Sequence, residues 1–229
     1  KNDSLLHFVK PVFDRRVFLK TCTNGSSELM TNLSMSLVNA LYNLQLMKIA
    51  GENGVAAYGA VMYVNFIFVA TFLGYAIGCA PVISYHYGAG NHAELKNLYK
   101  KSMSIILVWG VILFGAAQLL APVLSKIFVG YNTGLYAMTL HGFRVYAIAF
   151  LIIGINIFGS SFFTALNNGL ISAVISFLRT LVFQVIMVLT LPLWFGINGI
   201  WSAISIAEAL TLIMTTTFFV RQKNKYHYL

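Results

Sequence analysis

The sequence predicts an all-α, polytopic membrane protein built as a bundle of six transmembrane helices. Of its 229 residues, 59% are hydrophobic and only 9% are charged, against roughly 25% charged residues in an ordinary soluble domain. Long apolar runs alternate with short stretches of glycine, asparagine and charged residues. About 20 apolar residues are enough for a helix to span a bilayer, and the runs reach that length. We therefore expect six spans and no β-sheet.

The predicted spans follow these runs in chain order. The first four cover residues 17–49, 55–85, 102–127 and 135–164, while the fifth ends at residue 193 and the sixth at residue 221. A tight turn is expected at Gly51–Gly54. The polar run 88–101 is typical of a short amphipathic helix at the membrane interface.

We expect three regions: a cytoplasmic linker (1–16), a six-helix transmembrane lobe (17–221) and a cytoplasmic tail (222–229). The orientation follows from the lysines and arginines near the ends of the spans, which concentrate on the cytoplasmic side of membrane proteins. With the N-terminus inside, the other side collects only Lys48 and Lys126. The cytoplasmic side collects the other basic residues near the span ends: Lys1, Lys10, Arg15, Arg16, Lys20, Lys96, Lys100, Lys101, Arg221, Lys223 and Lys225.

The first span carries a polar stripe. Between Lys20 and Lys48, Glu28 is the one charged residue. Polar or small residues recur at spacings of three and four, which places them on one side of a helix. They are Thr21, Gly25, Glu28, Asn32, Ser36, Asn39 and Asn43. Lipid would penalise such a stripe, so we expect it to face other helices or a wet cavity. A carboxylate inside a membrane is a candidate functional group, and Glu28 is the first of our predicted site residues.

Three further charges fall within the predicted spans: Arg144, Arg179 and Glu208. Helical rise places Glu28, Arg179 and Glu208 at similar depths, roughly 12 to 20 Å from the cytoplasmic ends, and Arg144 nearer the other side. Glu208 and Arg179 are close enough in depth to form a structural ion pair between the fifth and sixth spans. A functional role for Glu208 in binding an ion or substrate stays open beside that interpretation.

The sequence contains no pattern typical of catalysis. His-Glu-x-x-His, Gly-x-Ser-x-Gly and phosphate-binding loop motifs are all missing, and the two cysteines show no metal-binding spacing. The formal net charge is +9, and the basic residues that cause it lie at helix ends and do not form a nucleic-acid-binding face. We expect no enzyme, metal site, cofactor or nucleic-acid partner. We expect membrane lipid to surround the helices.

Four stretches resemble the multidrug and toxic compound extrusion (MATE) transporters. Asn24–Ser34 is similar to the family's seventh helix, and Gly78–Ala89 is similar to the pattern that ends its eighth helix. Phe162–Asn167 and Leu191–Gly199 fit the last two turns of the same lobe. The resemblance covers nearly the whole chain.

This resemblance implies a twelve-helix transporter of two six-helix lobes, of which the chain matches the C-terminal one. A missing N-terminal six-helix lobe would then be its partner, in the plasma (inner) membrane. The family exports organic cations through a central cleft, driven by protons or sodium ions. Glu28 matches the acidic position on the family's seventh helix. Sodium-coupled relatives often have an aspartate midway along the helix that matches the fourth span, and the region Ile153–Asn156 here has no acid. The expected cleft residues are Glu28, Asn32, Asn39, Asn156 and Glu208.

Two alternatives remain at this point. A related flippase for lipid-linked saccharides shares the overall architecture. A six-helix structural or channel-like protein that forms a homodimer would also explain the spans.

Overall fold

The computed structural model describes residues 13–228, without the side chains of Ser27, Glu28 and Met30. Residues 13–228 contain α-helices, one π-helical segment and no strand, so the predicted all-α class is confirmed. The elements are α1 (Arg15–Gly88), α2 (His92–Val129), α3 (Thr133–Ala147), α4 (Phe150–Ala165), α5 (Gly169–Phe177), the π-helical segment (Leu178–Phe183), α6 (Gln184–Phe195) and α7 (Ile197–Tyr226).

Helix α1 folds back on itself at Gly51. This glycine has φ 63° and ψ −154°, a positive-φ conformation that glycine adopts at little cost. The rings of Tyr42 and Tyr58 stack with their centroids 5.0 Å apart. In a straight helix the rise between these residues would be about 24 Å. The two arms, 15–50 and 52–88, therefore lie side by side, and the turn expected at 51–54 needs only one non-helical residue.

The described residues contain enough apolar helix for a multi-pass membrane protein. Four stretches are long and apolar enough to cross a membrane: Arg15–Gly88, His92–Val129, Gly169–Phe195 and Ile197–Tyr226. The pair α3 and α4 makes a fifth, bent by 48°. Counting the two arms of α1 separately gives six, the predicted number. The bend between α3 and α4 was not predicted.

The expectation of a separate interfacial helix at 88–101 was wrong. Helix α2 runs unbroken from His92 into the apolar span. Its buried residues continue at helical spacing, beginning with Leu95, Tyr99, Ser102 and Ile106. The buried face of α2 packs against the bundle along its whole length. No break in the helix therefore marks off residues 92–101 as a separate interfacial helix.

Contacts at one end of the bundle bring together segments that are distant in sequence. Asn168 Nδ2 donates a hydrogen bond to the Tyr226 hydroxyl over 2.8 Å, and the rings of Tyr87 and Tyr226 lie 5.6 Å apart. Gly169 packs against the backbone of Asn24. The start of α1, the end of its second arm, the α4–α5 turn and the end of α7 thus share one end. Six of the fifteen lysines and arginines belong to these segments: Arg15, Arg16, Lys20, Arg221, Lys223 and Lys225. Their cytoplasmic placement stays a prediction.

The last described residues are packed into this end. The Tyr228 side chain is fully buried and its hydroxyl donates to the Phe219 carbonyl over 2.8 Å. Its ring lies 4.9 Å from that of Phe162 and 5.1 Å from that of Tyr99, and burial raises the pKa of the Tyr228 hydroxyl. Helix α7 itself continues to Tyr226, five residues beyond the expected end of the sixth span. Within the predicted tail at 222–229, Tyr226 and Tyr228 are therefore buried against the bundle, while Leu229 lies outside the described residues.

Close packing at Gly142 leads to a stability prediction. A Cβ atom at this position would lie 2.6 Å from the ring of the buried Trp201. We expect Gly142→Ala to lower the free energy of unfolding by about 1–3 kcal/mol, since overpacking a tight interior costs that much. Gly115→Ala is the matched control, because no atom lies within 4 Å of its Cβ position. Thermal unfolding in detergent measures both, and equal melting temperatures would contradict this packing.

Candidate functional site

The carboxylate of Glu208 is buried in the middle of the bundle. Helix α7 carries Glu208, which has no exposed surface. Arg179 Nε donates to both carboxylate oxygens, over 2.8 and 3.1 Å. The structure thus contains the ion pair that we predicted between these two residues. Since an isolated charge in a membrane interior is costly, the guanidinium compensates the charge of the buried carboxylate.

Asn156 on α4 is the second partner of Glu208. Its Nδ2 donates to Glu208 Oε2 over 2.7 Å and to the Glu208 carbonyl over 3.0 Å. Asn156 is itself fully buried. Its Oδ1 has no hydrogen-bond partner among the described residues. The network therefore joins α4, α7 and the π-helical segment, with one acceptor left over.

Arg179 lies in the π-helical segment, Leu178–Phe183. A π-helical turn has i→i+5 hydrogen bonds and often marks a functional site. This wider turn brings residues five apart onto one side, and both Arg179 and Gln184 line the same cavity. This irregularity was not predictable from the sequence, because the residues of the segment are ordinary helix-compatible types.

The ion pair borders a cavity of about 220 Å³. Both arms of α1, helices α3, α4, α6 and α7, and the π-helical segment contribute to its wall. Besides Arg179, Glu208 and Gln184, its polar and aromatic lining residues are Thr31, Asn39, Tyr42, Tyr58, Asn65, Phe66, Tyr146 and Thr180. The stacked Tyr42 and Tyr58 rings form part of the wall, and the Tyr58 hydroxyl donates to Asn39 Oδ1 over 3.0 Å.

Some polar atoms of this wall have unused hydrogen-bonding capacity. Within the described part of the chain, the Tyr42 hydroxyl and Asn65 Oδ1 are buried without a hydrogen-bond partner. Buried polar groups normally have a partner in protein or in ordered water. The cavity therefore suits water or a bound molecule that contributes hydrogen bonds.

A second, smaller cavity of about 90 Å³ adjoins the first. Thr31 and Arg179 line both. Ser160 on α4 contacts Ser172 and Ser176 on α5, with oxygen–oxygen distances of 2.9 and 2.8 Å. These hydroxyls mainly join two helices, as small polar residues often do in membranes.

The structure places the predicted residues unequally. Asn156, Glu208 and Arg179 come together as described, and Asn39 lines the cavity. Asn32 is exposed on the outside of the lobe. The Glu28 side chain lies outside the described residues. Its backbone belongs to α1, three residues before Thr31.

Most of the polar stripe is exposed in this lobe. Thr21, Asn32, Ser36, Asn39 and Asn43 are all exposed. The stripe therefore forms an outer polar surface of the first arm, with Asn39 at the edge of the cavity.

Neither the direct hydrogen bond between Asn156 and Glu208 nor the cavity-lining position of Tyr146 was predicted from the sequence. Tyr146 is buried on α3, and nothing in its neighbourhood distinguishes it from other span aromatics. Tyr146 lies next to the end of α3, close to the bend between α3 and α4. Because that bend was not predicted, this position did not identify Tyr146 as a cavity residue.

The Arg179–Glu208 ion pair leads to a stability prediction. Arg179→Gln should lower the free energy of unfolding by about 3–5 kcal/mol, since it leaves Glu208 buried and unpaired. Glu208→Gln should also destabilise the protein, because Arg179 loses its counter-charge. The double variant should recover a large part of the sum, as expected for coupled groups. Chemical unfolding of the four proteins in detergent measures the coupling, and additive losses would mean that the two residues act independently.

No curated protein sequence matches the chain. Among solved structures, "MATE in the bent conformation" matches with a TM-score of 0.88 and 20% identity, over 98% of this chain and 50% of that one. An outward-facing multidrug resistance MATE family transporter of the MOP superfamily matches with a TM-score of 0.85 and 21% identity, over 96% and 49%. A MOP superfamily transporter from Pyrococcus furiosus, for which a reverse polarity of the binding pocket is described, matches with a TM-score of 0.83 and 20% identity, over 92% and 48%.

These identities are low, so the structural matches show a shared fold. The chain spans about half the length of the solved transporters that it matches. A protein-family model described as MatE matches residues 29–190, which is well over half of the 229 residues. The chain, with its MATE transporter fold, therefore belongs to the MatE family.

Proposed function

We propose that this chain is the C-terminal lobe of a cation-coupled multidrug exporter that works by alternating access. The observation that carries the proposal is the Glu208–Arg179–Asn156 network beside a polar, aromatic cavity inside a membrane bundle. Ionisable residues at such depth mark ion and substrate pathways in transporters. The MATE fold supports the same interpretation.

The cavity has the chemistry that an organic cation requires. Its tyrosines and Phe66 offer ring faces that attract a positive charge. Glu208 offers a carboxylate whose present partner, Arg179, is itself a cation. An arriving organic cation, a proton or a sodium ion can therefore replace the guanidinium without leaving the carboxylate unpaired. This exchange of one cation for another is the step that an antiporter needs.

The outer stripe of α1 supports a role for a second lobe. Thr21, Asn32, Ser36, Asn39 and Asn43 would contact lipid if this lobe were alone in a membrane, and amides in hydrocarbon are costly. An N-terminal six-helix lobe that faces this stripe would replace lipid with a central cleft. Glu28, on the same arm, would then contribute a second carboxylate to that cleft.

The location that we propose is the plasma (inner) membrane, with both chain ends on the cytoplasmic side. The shared end of the bundle carries Arg15, Arg16 and Lys20 from α1 and Lys223 and Lys225 from α7. Positive residues concentrate on the cytoplasmic side of membrane proteins, which supports this orientation.

A flippase for lipid-linked saccharides is the second candidate within transport. Such a substrate carries phosphate groups, which a free arginine would bind. Arg179 instead directs its Nε to Glu208, so the cavity offers an internally neutralised pair. This arrangement favours cations over anions. A six-helix homodimer would leave the polar cavity without a role.

A transport assay tests the proposal in the protein that joins this lobe to an N-terminal one. We expect Glu28→Gln and Glu208→Gln each to reduce ion-driven efflux of ethidium from proteoliposomes at least tenfold per folded molecule. Glu28→Gln should leave stability nearly unchanged, whereas Glu208→Gln should also lower it. Glu52→Gln is the matched control, because Glu52 is exposed beside the Gly51 bend, and it should transport normally.

Normal efflux in both site variants would contradict the role of these carboxylates. Saccharide-lipid translocation without ethidium efflux would favour the flippase instead.

A further inference from the structure

A cavity of about 350 Å³ lies at the shared basic end of the bundle, away from Glu208. The first turns of α1 form one wall and the α4–α5 turn forms the other. The lining residues are Arg16, Leu19, Lys20, Thr23, Asn24, Asn167, Asn168, Gly169 and Leu170. Nothing in the transport proposal uses this cavity.

Both walls are held in place by direct contacts. A Cβ atom on Gly169 would lie 2.5 Å from the Asn24 Cα atom, so the α4–α5 turn meets the α1 backbone closely. Asn24 Nδ2 donates to the Thr164 carbonyl over 3.3 Å. Asn168 is fixed by its hydrogen bond to Tyr226. The cavity is therefore part of the packed structure, formed where α1 extends past the turn.

The charge of the lining is entirely positive. Arg16 and Lys20 are four residues apart and lie on the same side of α1, and no acid lines the cavity. Among the described residues, neither cation forms an ion pair. Asp14, two residues before Arg16, accepts hydrogen bonds from the backbone nitrogens of Arg16 and Val17, over 2.7 and 3.2 Å, and so caps the helix.

Besides the two cations, the lining contains a hydrogen-bond acceptor and exposed apolar side chains, which suit a ligand that has both polar and apolar parts. Asn24 Oδ1 is buried and has no partner in the described part of the chain, which leaves an acceptor for a hydroxyl group. Leu19 and Leu170 are exposed apolar side chains, with 53% and 68% of their surface accessible. A free phosphate would not use these leucines, whereas the glycerol and first methylenes of a lipid would cover them.

We propose that this cavity binds the phosphate-bearing headgroup of an anionic phospholipid. Arg16 donates to the phosphate oxygens in the forked geometry that guanidinium groups favour, and Lys20 adds a second positive charge. Basic recesses at the cytoplasmic ends of membrane helices suit such headgroups. The bound lipid joins the start of α1 to the α4–α5 turn and so steadies the arm that carries Glu28.

Lipid binding to the purified chain tests this proposal. Native mass spectrometry would measure the affinity for dioleoyl phosphatidylglycerol against dioleoyl phosphatidylcholine. We expect preference for phosphatidylglycerol, and a loss on the order of 30-fold in Arg16→Gln/Lys20→Gln, since each basic residue near an anionic surface contributes about a factor of five. The matched control is Lys100→Gln/Lys101→Gln, which removes two exposed charges from α2 outside this cavity, and it should bind nearly as tightly as the unaltered chain.

A second variant tests the cavity without removing a cation. Asn167 is exposed and has φ 57°, a conformation that aspartate also tolerates. Asn167→Asp should weaken phosphatidylglycerol binding by introducing a negative charge, with an unchanged melting temperature in phosphatidylcholine.

An equal loss of phosphatidylglycerol affinity in Arg16→Gln/Lys20→Gln and in Lys100→Gln/Lys101→Gln would overturn the proposal, because it would show general attraction between the lipid and a basic surface. Soluble glycerol 3-phosphate that competes as strongly as the lipid would also overturn it, by showing a site for free phosphate. Unchanged affinity in Asn167→Asp would place the lipid elsewhere.

Discussion

The structure depends above all on the compensation of one buried negative charge. Glu208 sits at the centre of the bundle with no exposed surface, and its carboxylate is satisfied by Arg179 and Asn156. Each partner comes from a different element, so α4, the π-helical segment and α7 must meet at one point. Hydrophobic packing alone would not select that arrangement, because lipid is as apolar as the helix surfaces. The ion pair is therefore both a constraint on assembly and the centre of the proposed site.

The same interaction connects structure to transport. A carboxylate that already binds an internal cation is prepared to exchange it for another. The cavity beside it has unsatisfied polar atoms from Tyr42 and Asn65, which a guest or water can satisfy. Arg179 lies in a π-helical turn, whose backbone hydrogen bonds differ from those of a regular α-helix. Such turns often occur at functional sites. The outer stripe of α1 extends the polar surface beyond the lobe, where a second lobe is proposed.

Much of the architecture was predictable because hydrophobicity and helix period are local properties. The apolar runs gave the class and the number of spans, and Gly51 marked the bend in α1. Depth along the helices sufficed to pair Arg179 with Glu208. The bend between α3 and α4, the continuity of α2 at Leu95 and the hydrogen bond from Asn156 were not predictable in this way. They depend on which helix faces meet in three dimensions, which the apolar pattern and the depth along a helix do not specify.

Binding of a cation to the chain tests the central claim most directly. The claim is that Arg179 competes with incoming cations for Glu208, so removal of the guanidinium should have the opposite effect to removal of the carboxylate. Equilibrium titration with tetraphenylphosphonium should show tighter binding to Arg179→Gln than to the unaltered protein, and weaker binding to Glu208→Gln. Weaker binding to both variants, or no change in either, would contradict the account and would leave the pair as a purely structural link between helices.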